Sequence, residues 1–194
     1  MIADLTQYSF KHKNIHETIR CQRNFDWNNP VSLEHLEILD EYVQKPGQQQ
    51  GEHTCTAFKI YNNYEKVQEL NNQLYQVNEQ VLAPLVYVFT SDGKLGEKNP
   101  FFAGFNSGMV AKVANELGYQ TGFCLCGVGS NNAKWKSWCR ENGLLGPHYN
   151  NLEFILSIGH PEPGREYNDN GSYTDNPGDD HEHYTYNWSE VKEL

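Results

Sequence analysis

One continuous apolar run stands out along the chain, PLVYVFT (84–90), and LEFILSIG (152–159) predicts the next strongest strand. A run without polar alternation predicts a strand covered on both faces, and the proline at its head suits a strand's first position. AFKIY (57–61) alternates and is short, which predicts a strand, and GFCLCGV (122–128) predicts another. Between them the spacing changes to threes and fours. Leu33, Leu36, Leu39 and Val43 predict a helix over 33–45, with Ser32 able to cap it, Glu34 in its first turn and Pro46-Gly47 ending it. Val67, Leu70, Leu74, Val77 and Val81 predict one amphipathic helix. Further helices are predicted over 101–117, with Phe102, Met109, Val113 and Leu117 on one side and Gly118 as the stop, and over 132–142, which Gly143 ends. Residues 14–22 predict a short helix with Ile15 and Ile19 on one face. Interleaved helices and strands with irregular connections give an α+β class.

The pattern fails after His160. Up to His183 only Tyr167 and Tyr173 are apolar, and seven acids against one arginine carry −6 of the chain's −10. Such a segment is a solvated loop or arm, not core. Tyr184, Tyr186 and Trp188 then alternate, which predicts a terminal strand able to pair with another subunit's sheet. The 194 residues are read as one domain, 1–194, with 160–183 as the arm and 184–194 as a terminal strand with a short helical end.

Composition narrows the partners. A net charge of −10 argues against nucleic acid or an anionic membrane, and no run approaches the roughly 18 apolar residues of a membrane span. MIADLTQYSF lacks the basic-then-apolar order of a signal peptide, and five cysteines without framework spacing read as free thiols of a cytoplasmic protein. A hydrophobic content of 38% is low for a compact monomer and suggests a core shared with a partner chain.

Four constellations carry candidate chemistry. Arg20 and Arg23, three apart, would lie on one face of a helix end and could fork onto one oxyanion; they could equally be solvated surface arginines. PGQQQGEHTC (46–55) offers amides suited to a heteroaromatic edge, or is a polar loop. Cys124 and Cys126 share a strand face, too close for a disulfide and too few for structural zinc, and read equally as small buried residues. Asp179-Asp180-His181-Glu182-His183 has metal-binding residue types without a metal-site spacing, or is a solvated acidic loop. No nucleophile elbow, phosphate loop or basic nucleic-acid patch occurs.

The order of these pieces resembles the nitroreductase family of FMN-dependent oxidoreductases. That family opens with an Arg-Arg-Ser-x-Arg-x-Phe type motif, read here as Arg20-Cys21-Gln22-Arg23-Asn24-Phe25, followed by Pro30 through Lys45 as proline and helix. PGQQQGEHTCTAFKI stands where the family has an Asn/Gln loop running into a strand, without the family's Gln-Pro-Trp. Ala83-Pro84-Leu85-Val86-Tyr87-Val88, the Ala103-Gly104 to Leu117-Gly118-Tyr119 helix and Ile158-Gly159-His160-Pro161 follow in family order. The likeness covers residues 14–163.

The resemblance implies a nitroreductase-like fold, a mostly antiparallel central sheet flanked by helices. It also implies a homodimer with an exchanged C-terminal arm, and FMN at the subunit interface. Arg20, Cys21 and Arg23 would hold the phosphate, with Arg165 or His183 standing in for the basic residue the family places before its last helix. Gln48 and Gln50 would bond the flavin's polar edge. Phe123, Cys124, Leu125, Cys126 and Gly127 would lie against the ring, with a backbone N–H at its reactive nitrogen. Phe101, Phe102 and Phe105 are candidates to line the cleft. The implied activity is NAD(P)H-dependent reduction of nitroaromatics, quinones or similar small acceptors through the flavin, with no side chain acting as acid or base. The rival readings are a related flavin reaction on the same fold, a binding protein that has lost FMN, and a metal site at His181 and His183.

Overall fold

The computed structural model describes residues 21–49, 55–76, 78–94, 98–125, 127 and 132–164. The predicted N-terminal helix up to residue 20, the acidic arm from Arg165 and the terminal strand lie outside them. Among the described residues four helices and four strands follow one another as α1 (Leu33–Gln49), β1 (Cys55–Tyr61), α2 (Tyr64–Asn71), β2 (Leu85–Ser91), α3 (Lys98–Glu116), β3 (Gln120–Cys124), α4 (Asn132–Glu141) and β4 (Asn151–Gly159). The strands form one antiparallel sheet in the order β1-β2-β4-β3.

β2 is central and buried along its whole length. Leu85, Tyr87 and Phe89 face one core with Phe154, Leu156 and Ile158 of β4, under α1 and α3. Val86, Val88 and Ile155 face the other, under α2, α4 and a 3-10 turn at Glu79–Val81. PLVYVFT is therefore a strand covered on both faces, as expected, and LEFILSIG is a strand as expected, buried from Phe154 onward.

Three predicted elements are corrected. The helix expected over Val67–Val81 ends at Asn71. Leu74 and Val81 are still buried, but the chain leaves the helix because the buried Asn71 side chain bonds the backbone of Asn78 instead. α1 runs through Pro46 and Gly47 to Gln49. Pro46 forgoes one intrahelical bond, yet its own φ suits a helix already nucleated by three turns. In α3 Val113 is buried and Leu117, just past its end, packs on the core as expected, with Ala103, Ser107, Val110, Ala111 and Ala114 beside them, while Met109 is 38% exposed. A helix packed tightly on a sheet takes its small residues inward, and Met109 is left outside. α3 ends where expected, at Gly118, whose φ of 93° is left-handed.

A polar tie crosses the first core. The Tyr87 hydroxyl donates to Asp40 Oδ1 on α1 at 2.8 Å, and Lys59 on β1 holds the other carboxylate oxygen. Burial, and then the Asp40 carboxylate, push the Tyr87 phenol well above its ordinary value.

Candidate cofactor site

The segment Cys21–Asp26 is pinned at both ends. Cys21 bridges Thr121 of β3 in parallel, and Phe25 bridges Pro161 antiparallel. Gln22 N–H donates to Thr121 O at 2.7 Å, Asp26 N–H to His160 O at 2.9 Å, and Glu162 N–H to Asn24 O at 2.8 Å. Between the two bridges Asn24 takes φ +55°, a left-handed conformation that asparagine tolerates, and this lets the segment pass from the edge of β3 to the exit of β4. The expected helix through Cys21 and Gln22 is thus absent at these two residues: β3 has captured their backbone. Arg23 therefore sits on an extended segment, half-buried, and the same-helix-face argument for Arg20 and Arg23 does not hold for it.

Cys21 does more than keep a small volume. Phe123 N–H donates to its sulfur at 3.3 Å, and the thiol donates to Phe123 O at 3.6 Å. These two bonds join positions 102 residues apart. They set the Arg23 segment directly beside the strand that runs out at Cys124.

Gly122 makes this closeness possible. A Cβ there would sit 2.5 Å from Gln80 O and 2.8 Å from Gln22 O, both backbone atoms that cannot step aside. Any side chain would push the Cys21–Arg23 segment or the 3-10 turn off β3. Gln22 itself is fully buried and fixes its side chain on Arg23 O.

Beyond β3 the chain surfaces. Cys124 is 2% exposed, whereas Leu125 is 74% exposed and Gly127 is exposed as well. The strand expected to reach Val128 stops at Cys124, so the alternation that placed two thiols on one face does not extend past it. Cys124 is disulfide-bonded, to a partner outside the described side chains, which corrects its reading as a free thiol. Cys21 and Cys139 are free, and burial pushes the Cys139 thiol up to about 11. Gly127 O accepts from Tyr75 N–H at 3.1 Å, so the turn after β3 is tied to the connection after α2.

Of the expected site residues, Cys21 is bonded to Phe123, Arg23 follows it on the stretch that leads to Phe25 at Pro161, and Cys124, Leu125 and Gly127 lie where β3 runs out. Gln48 lies in the last turn of α1, not in a loop, and its side chain is outside the described ones. Arg20, Gln50, Cys126 and Arg165 lie outside the described residues, as does the Asp179–His183 cluster. Among the described residues no group of three or more His, Cys, Asp or Glu could hold a metal ion, and no helix is long and apolar enough to cross a membrane. Of the three phenylalanines, Phe101 and Phe105 are 68% and 55% exposed on α3, while Phe102 is half-buried. Sequence reasoning passed over Gly122, Gln22 and Tyr75; a glycine inside a strand is the one local signal that marks such a close approach.

The antiparallel sheet with helices on both faces, and an N-terminal segment added along β3, define the nitroreductase-like fold. Among solved structures, an FMN-dependent nitroreductase of Clostridium difficile matches over 79% of this chain and 90% of its own, at 20% identity and a TM-score of 0.62. A nitroreductase family protein of Clostridium novyi matches over 76% of this chain and 83% of its own, at 12% identity and a TM-score of 0.58. NfrA2 of Bacillus megaterium matches over 76% of this chain and 65% of its own, at 20% identity and a TM-score of 0.55. No family model matches the sequence, and no curated protein matches it either.

Proposed function

We propose that the chain is an FMN-dependent oxidoreductase that takes hydride from NAD(P)H and reduces a nitroaromatic, a quinone or a similar electron-poor acceptor. The observation that supports this reading is the pair of bonds between Cys21 and Phe123, which holds the start of the arginine-bearing segment against β3. The donor set fits FMN. An acidic chain needs local positive charge to hold a phosphate dianion, and Arg20, Arg23 and Arg165 would supply it. The exposed Leu125–Gly127 turn offers backbone and an apolar side chain to a flat ring, and Gln48 and Gln50 can meet its polar edge. FMN, when bound, supplies the hydride chemistry. The protein's part is to hold, orient and exclude water, and no acid or base among its side chains is required.

A homodimer belongs to the same reading, with residues 184–194 exchanged between protomers. Its support is α3, where Phe101, Phe105 and Met109 recur every four residues on an exposed face. Nothing lies within 4 Å of a Cβ at Gly104 or Gly108, so bulky and empty positions alternate along that helix as a self-complementary face requires.

A second reading, a binding protein that has lost FMN, is favoured by one observation. The Phe123 N–H already donates to Cys21 and is not available to a ring nitrogen. Uptake of FMN by the wild-type chain separates the two, and Arg20→Ala combined with Arg23→Ala tests the phosphate assignment. The enzyme reading expects flavin retention to be lost while the oligomeric state survives. Wild-type flavin stoichiometry in the double variant would remove the phosphate assignment.

A further inference from the structure

The connection from Asn71 to Asn78 is built more carefully than a solvated link requires. Asn71 is 3% exposed and Asn78 7%. Asn71 Nδ2 donates to Asn78 O at 3.2 Å, and Asn78 N–H returns a bond to Asn71 Oδ1 at 3.0 Å, closing the neck of the loop. Inside it, Asn78 Nδ2 donates to Gln76 O at 2.7 Å and Leu74 N–H to Asn71 O at 3.2 Å, and Leu74 is buried. Outside it, Lys134 Nζ of α4 donates to Asn72 O at 2.6 Å, and Tyr75 N–H donates to Gly127 O at 3.1 Å. Every anchor holds backbone or an inward side chain, and among the described residues of the loop the large hydrophobic group left open is the Tyr75 ring, 80% exposed. No other large hydrophobic side chain among the described residues is so open.

A single exposed tyrosine is ordinary. A tyrosine whose backbone is fixed to the turn after β3, where Leu125 is also exposed, presents its flat ring from a fixed point of the fold. Ordering costs of binding are lowest for such a rigid aromatic. A protein partner is a poor match: an aromatic side chain buries roughly 150–250 Å², well short of the roughly 800 Å² per side of a stable interface, and the stripe on α3 is the larger apolar face. A planar small molecule needs no more than one ring face. The tyrosine ring is electron-rich, so offset stacking favours an electron-poor ring over it.

We propose that Tyr75 is the residue on which a planar, electron-poor aromatic acceptor stacks, beside the Gly127 turn, and that it sets the preference for flat acceptors over compact ones. The inference rests on the flavin-dependent reading above and names the acceptor subsite of that same site.

The test uses the full chain loaded with FMN, with p-nitrobenzoate as the planar probe and ferricyanide as the non-aromatic one. Tyr75→Ala raises KM for p-nitrobenzoate, and its Kd by calorimetry, roughly threefold to tenfold, the range a lost stacking contact gives. FMN affinity and ferricyanide reduction stay unchanged, Tyr75→Phe restores the planar probe to within about twofold, and Tyr75→Leu does not. Unchanged p-nitrobenzoate constants in Tyr75→Ala overturn the inference and leave the enzyme reading standing. So does full rescue by leucine, or an equal loss of FMN and of both acceptors, which would make the tyrosine a structural residue. A wild type that binds neither FMN nor p-nitrobenzoate brings down both.

Discussion

Cys21 stands where the resembling family has serine, and the structure gives it a task that a surface position would not: a thiol that accepts from one backbone group of Phe123 and donates to another. That pairing was not legible in the sequence, because the two residues lie 102 positions apart and nothing local signals it. Gly122 was legible in principle, since glycine within an apolar strand points to close backbone contact, here with Gln80 O and Gln22 O. Tyr87 is a case where burial decides behaviour. Its hydroxyl is bonded to Asp40 and its phenol is raised in the folded state, so the unfolded chain releases that proton first as pH rises above the ordinary value of 10.0. The stabilisation Tyr87 provides is therefore fully present below about pH 10 and declines above it. Tyr87→Phe should cost about 1–2 kcal/mol at pH 8, from the lost bond to a carboxylate. Urea unfolding at pH 8 and again near pH 11 should show that cost shrinking, because phenylalanine has no proton to lose. A cost that holds steady or grows would mean the phenol is not held neutral by the fold.

Elements whose apolar residues fill a sheet were read directly, and those whose faces are divided were not. β2 is buried on both sides, so an unbroken run was enough, and β4 was read from its apolar-rich stretch. Threefold and fourfold spacing from Val67 to Val81 described residues that are indeed buried at Leu74 and Val81. Yet it could not report that Asn71 turns its side chain to Asn78 and ends the helix. In α3 the expected face holds at Val113 and Leu117 and fails at Met109, because the helix packs mainly through alanine, serine and valine and leaves Phe101, Phe105 and Met109 outside. That outer stripe is where the dimer proposal can fail. Phe105→Asp places a charge in the middle of it and should weaken self-association by roughly two orders of magnitude, the loss of a buried phenylalanine with an unpaired charge in its place. Thermal stability of the protomer should be little changed, since Phe105 is 55% exposed there. Sedimentation over a concentration series reads the result. A wild type that is monomeric, or a Phe105→Asp chain that associates as the wild type does, would remove α3 as the interface.

Taken whole, the described residues hold two cores on either side of one sheet, and the candidate site lies along β3 at the sheet's edge. The polypeptide is strongly acidic, so the place where an anion could bind has to be made by a few cations gathered from separate segments. Arg23 is delivered by a pinned extended segment, and the basic residue that the resembling family places near its C-terminus has no direct counterpart in HEHYTYNWSEV. Sequence order alone pointed to the fold, because serial order of weak motifs is preserved even when each is altered. It could not weigh the site, because the affinity for a phosphate depends on how closely separate segments approach. The most direct measurement is equilibrium binding of FMN to the purified wild-type chain, followed by anaerobic addition of NADH or NADPH. The account predicts saturation at an amount equimolar with the chain, and loss of the oxidised-flavin absorption when the nucleotide is added. A chain that takes up no FMN from an excess, or that binds it and leaves it oxidised with both nucleotides, would contradict it.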